Sequence, residues 1–143
     1  MALSTFGAIM GFAAGMAGQA RMTYEALIEK ARDPRLRETL KALAGKEGKI
    51  SDLMEKTRRE HVTEMILEPV AGLHEDDYGI DLDGLADLAP LLTALALEER
   101  ERRFFQDASE KLPLPEVARI FRKIVREKEE NLKRLRGIER DQL

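Results

Sequence analysis

The chain nearly repeats itself without a gap, residue 24 matching residue 105 at an offset of 81. Tyr24 falls on Phe105, Glu29-Lys30 on Glu110-Lys111 and Pro34 on Pro115. Leu36, Leu40, Leu43 and Ala44 fall on Val117, Phe121, Ile124 and Val125, so apolar positions land on apolar positions. Each half holds its proline between two helical patterns. A helical hairpin has an apolar stripe that it cannot bury alone, and two copies bury their stripes against each other. The sequence therefore predicts an all-α, four-helix bundle built from two hairpins in a single domain over residues 1–143.

Hairpin 1 is expected at about 3–66. Its first helix carries the stripe Phe6, Met10, Ala13, Ala17, Ala20, Tyr24, Leu27 and Ala31, spaced alternately by four and three. Asp33 reads as an N-cap and Pro34 as the first helical position of the second helix. That helix continues on Leu36, Leu40, Leu43, Glu47, Ile50, Met54, Thr57 and His61. Between about 67 and 88 the pattern breaks, with Pro69, Gly72, Gly79 and Gly84 set among acidic residues. This reads as a crossover with a short helical turn near its end, long enough to run the length of the bundle and set the third helix parallel to the second. Hairpin 2, at about 90–140, has stripes Leu91, Leu95, Glu98, Arg102, Phe105 and Val117, Phe121, Ile124, Lys128, Asn131, Leu135, Ile138.

Composition narrows the function classes. Charged residues make up 36% of the 143 with both signs interspersed and a net charge of −3, so no basic stripe offers a nucleic-acid surface. The absence of cysteine rules out disulfides, thiolate metal sites and thiol catalysis, and fits a reducing cytoplasm. Met1 to Ala20 carries no charged side chain, yet Gly7, Gly11, Gly15 and Gly18 keep it only mildly hydrophobic. It reads first as a buried bundle helix. An association face on those four glycines and a membrane-inserted segment are the alternatives. His61 and His74 read as ordinary surface or end-of-core residues. The acidic stretch from Asp76 to Gly84 lacks the ligand spacing of a calcium loop. No Ser-His-Asp arrangement, phosphate loop or dinucleotide fingerprint is present.

Polar residues interrupt the stripes at Glu47, Glu98, Lys128 and Asn131, with Arg102 one turn beyond Glu98. Charges in a core must be paired, solvated or coordinated. The tract from Tyr24 to Glu47, and the tracts Leu95 to Glu98 and Phe121 to Leu132, resemble the two hairpins of rubrerythrin-like members of the ferritin-like superfamily. Members of that family hold two metal ions between the hairpins, through a Glu on each of the first and third helices and a Glu-x-x-His on each of the other two. Position by position, the resemblance puts Ala17, Glu47 with Ile50, Glu98, and Lys128 with Asn131 at those places, so only Glu47 and Glu98 keep the family's ligand type. Phe105 stands where the family usually has a tyrosine.

The resemblance thus implies a ferritin-like bundle whose metal centre has become a polar cluster of Glu47, Glu98, Lys128, Asn131, Arg102 and Tyr24. No cofactor is then expected, no residue is assigned a catalytic role, and the chain is expected to act as a structural or interaction protein that self-associates as a dimer or higher oligomer. The rival expectation is an iron- or manganese-binding oxidoreductase or metal carrier using atypical ligands, with Glu101, Glu127 or Glu130 recruited. A third is long side chains that reach the surface and never meet.

Overall fold

The computed structural model describes residues 2–61, 70–81, 84–85 and 89–142; the expected end of the second helix at 62–66 and the parts of the expected crossover at 67–69, 82–83 and 86–88 lie outside them. Four long α-helices dominate: α1 Phe6–Lys30, α2 Pro34–Glu60, α3 Pro90–Lys111 and α4 Pro115–Asp141. The described residues contain no β-strand, only an isolated bridge between Ala2 and His74.

The helix ends follow from local chemistry. The Thr5 hydroxyl accepts from the Ala8 amide at 3.0 Å and caps α1. Asp33 accepts from the Arg35 amide at 3.0 Å, and Pro34, Pro90 and Pro115 open the next three helices, where a missing N–H costs nothing. Between α2 and α3 the described chain makes a short 3-10 turn at Glu75–Tyr78 and has helical geometry at residues 84–85. Leu3 N–H donates to the Leu73 carbonyl and Val70 N–H to the Ser4 carbonyl, both at 2.8 Å, tying this connection to the start of α1.

Contacts fix the helix directions. Ser51 of α2 donates to the Ala14 carbonyl of α1 at 3.2 Å, and Phe6 meets His61 edge-on, so α1 and α2 are antiparallel. Phe12 stacks on Phe104 while Tyr24 reaches Glu98, so α3 runs antiparallel to α1. Lys46 contacts Asn131 and Arg35 contacts Asp141, so α4 runs antiparallel to α2. It follows that α2 and α3 are parallel.

The apolar core is divided. One cluster holds Phe6, Met10, Ala13, Met54, Phe104, Phe105, Phe121 and Ile124, with Phe105 and Phe121 in edge contact at 5.0 Å. The other holds Tyr24, Leu27, Leu36, Leu40, Leu43, Leu97, Leu135 and Ile138. Buried polar residues lie between them. The inward face of α3 also differs from the expected stripe. Ala94, Leu97, Glu98, Glu101, Phe104 and Ala108 are buried, whereas Leu95 and Arg102 are half-exposed. A helix packed against two neighbours buries an arc wider than one seam, and here that arc is centred away from Arg102.

Candidate functional site

One residue organises the polar layer. Lys128, 1% exposed, projects from the middle of α4, where Ile124 and Leu135 point the same way into the two apolar clusters. Its Nζ lies 2.8 Å from Glu98 Oε2 and 2.9 Å from Glu101 Oε2, and it donates to Glu47 Oε1. Three N–H bonds thus face three carboxyl groups supplied by α2 and α3. The repeat explains part of this meeting, because Glu47 and Lys128 are equivalent positions of the two halves and face each other across the bundle.

Glu98 is the best satisfied of the three. It accepts from Lys128, from the Tyr24 hydroxyl at 3.0 Å and from Asn131 Nδ2 at 2.7 Å. Asn131 in turn accepts from Lys46 Nζ at 3.1 Å, the layer's outlet toward solvent. Glu47 Oε2 and Glu101 Oε1 have no donor, and Glu101 Oε2 has only the Lys128 ammonium at 2.9 Å. A proton on Glu47 resolves this. Burial, then the Glu101 carboxylate, pushes the Glu47 carboxyl up to about 10, against the pull of Lys128. Glu47 is therefore drawn toward its neutral acid form, in which its O–H can donate to Glu101. Burial also raises Glu101, with Lys128 opposing.

Burial alone draws an ammonium's pKa down, but Glu101, Glu98 and Glu47 together outweigh it and hold Lys128 well above its usual range. Burial, followed by the same carboxylates, holds the Tyr24 phenol well above its usual range, so it remains a donor. Arg100 lies on the α1 side of the layer, 7% exposed, and its Nε and Nη2 have no hydrogen-bond partner. Burial lowers its pKa, with Glu101, Glu47 and Tyr24 opposing. With Glu47 neutral, two carboxylates face two cations, Lys128 and Arg100, so the layer is close to charge balance.

The structure thus brings Tyr24, Glu47, Glu98, Lys128 and Asn131 together. It does not bring Arg102, whose guanidinium pairs with Glu99 at 2.6 Å on the helix surface. Glu101 takes the inner place instead. The repeat held the signal for both: Glu101 matches Ala20, which is buried, and Arg102 matches Arg21, an exposed residue paired with Glu25 at 3.0 Å. Glu127 and Glu130 are exposed. His74 is exposed, and His61 ends α2 against Phe6. Gly15 and Gly18 have no atom within 4 Å of where a Cβ would stand, so they do not line an internal seam, while a Cβ at Gly11 would stand 3.6 Å from the Arg58 guanidinium.

Glu47, Glu98 and Glu101 each offer an oxygen within 4.8 Å of the others, a cage of a size that suits a cation. The donor set is nevertheless unlike a two-metal centre. Ala17 and Ile50 present only hydrocarbon, Asn131 presents its amide nitrogen to Glu98, and a fixed ammonium stands among the oxygens. The fold and site define an all-helical four-helix protein with a charge-paired polar layer in its core. No helix is long and apolar enough to cross a membrane among the described residues. Neither protein-family models, curated proteins nor solved structures contain a match to this chain.

Proposed function

We propose that this chain is a ferritin-like bundle of the rubrerythrin type in which the Lys128 ammonium has taken the place of the metal ions, and that it acts as a structural or interaction protein, not an oxidoreductase. One observation carries the reading: Lys128 Nζ sits within 2.9 Å of Glu98 and Glu101 and donates to Glu47, filling the space that a metal would need. A fixed cation relieves repulsion among clustered carboxylates without any metal supply. The antiparallel neighbours and the parallel α2 and α3 agree with ferritin-like connectivity. The absence of cysteine suits a reducing, cytoplasmic setting and leaves no thiolate site for electron delivery.

The test is metal content. Protein expressed in iron- and manganese-supplemented medium and purified without chelator should hold far less than one metal ion per chain, and should oxidise added Fe(II) no faster than buffer. The second reading, an iron- or manganese-binding carrier or oxidoreductase, draws on the three converging carboxylates. Stoichiometric metal surviving dialysis, and lost on Glu98→Gln, would establish it and refute the first.

A further inference from the structure

Arg100 is buried on the α1 side of α3, and two of its guanidinium nitrogens, Nε and Nη2, have no hydrogen-bond partner. These two nitrogens form one edge of the planar guanidinium, and their N–H bonds run side by side. That edge grips a carboxylate with one bond to each oxygen. Glu101 and Glu47 lie near enough to oppose the effect of burial on Arg100, yet neither accepts from this edge. Unpaired buried donors are costly, so two on one edge call for an acceptor. Arg100 lines a cavity of about 310 Å³ between α1 and the 3-10 turn. Phe12 and Met16 give it apolar walls, and Gly15 leaves open space where a Cβ would stand. Gln19 and the half-exposed Glu75 complete the lining.

We propose that this cavity binds a small organic monocarboxylate, with its two oxygens on Arg100 Nε and Nη2 and its apolar body against Phe12 and Met16. The fork and the charge of an arginine, which stays protonated, select a planar anion with two oxygens. The apolar walls select a hydrocarbon body over an inorganic ion, as small-molecule sites do when a few polar groups fix the head. Gln19, exposed at the rim, offers an amide that can donate to the same head. Glu75 brings a negative charge to the lining, which disfavours a dicarboxylate or a phosphate dianion and narrows the class to a single charge. The inference goes beyond the structural reading by giving the bundle a ligand, and its test involves no metal.

Titration calorimetry of the full chain with hexanoate tests it. One hexanoate should bind per chain with a Kd of about a millimolar or lower. Acetate lacks the apolar body and 1-hexanol lacks the charge, so each should bind about tenfold or more weakly than hexanoate. Arg100→Lys keeps the charge but loses the fork, and should weaken hexanoate binding about tenfold or more. Gly15→Leu fills the cavity from open space without altering Arg100, so helicity should persist while binding is lost. Gly45→Leu is the control, because Gly45 on α2 is equally open, and it should bind hexanoate as wild type does. Glu75→Gln should narrow the preference for hexanoate over adipate. No saturable binding to wild type, equal affinity for hexanoate and 1-hexanol, or unchanged affinity in Arg100→Lys or Gly15→Leu overturns the site. A preference over adipate that survives Glu75→Gln overturns the selection assigned to Glu75.

Discussion

Replacing Lys128 with methionine removes the one cation that touches all three carboxyl groups while keeping most of the side-chain volume. Glu98 and Glu101 then lose ion pairs of 2.8 and 2.9 Å, and both are fully buried. The cheapest relief for a stranded carboxylate is a proton. Taking one up at pH 7, from an ordinary value of 4.5, costs about 3.4 kcal/mol at ~1.4 kcal/mol per unit. That agrees with the ~3–5 kcal/mol typical of breaking a buried ion pair from one side. The same arithmetic makes the loss pH-dependent, shrinking to about 0.7 kcal/mol plus repacking at pH 5. Urea unfolding followed by circular dichroism, with wild type and variant compared at both pH values, reads the difference. Adding Glu101→Gln should restore most of the loss at pH 7, because Glu101 has no donor besides Lys128 and Glu47. A loss below about 1 kcal/mol at pH 7, or one that is the same at pH 5, would show that Lys128 compensates nothing.

Two further outcomes separate the three acids. Glu47→Gln should match wild type near pH 5 and exceed it at pH 8, since an amide reproduces the neutral carboxyl that accepts from Lys128 and donates to Glu101. Glu98→Gln should cost about 2–3 kcal/mol, because its NH2 would face one of three donors and leave that donor unpaired. The pH profile carries a sign as well. With a folded value of about 10 against 4.5, the stability that Glu47 contributes is complete below about pH 4.5 and is lost as pH rises through about 10. Wild type should therefore lose up to about 1.4 kcal/mol per pH unit relative to Glu47→Gln across that window, and parallel profiles would mean that Glu47 is ionised in the fold.

Much of this arrangement is legible in the sequence. The gapless repeat marks four helices, the prolines mark where three of them begin, and the interrupted stripes mark Glu47, Glu98, Lys128 and Asn131 as inward. The inward face of the third helix is less legible. Glu98 to Arg103 alternates in sign like a solvated face, and a single seam drawn through Glu98 selects Arg102 over Glu101. A helix in contact with two neighbours buries positions on both sides of such a seam, so Glu101 turns inward and Arg102 outward. Arg100 escapes the periodic pattern for a different reason. It lines a cavity with Phe12, Met16 and Glu75, contributed by α1 and by the connection that precedes α3, and no helical period encodes that neighbourhood. The raised Glu47 carboxyl belongs to the same class, because it depends on how deeply the fold buries it and then on how near Glu101 comes.

On the proposed reading an ammonium, not a metal ion, holds the three carboxyl groups. A crystal structure of the wild-type protein, grown with millimolar Mn(II) and measured for anomalous scattering, tests it most directly. Continuous density for Lys128 should reach within about 3 Å of Glu98 and Glu101, as charge-assisted hydrogen bonds require, with no anomalous peak between them. An anomalous peak bounded by Glu47, Glu98 and Glu101, with Lys128 turned away, would contradict it.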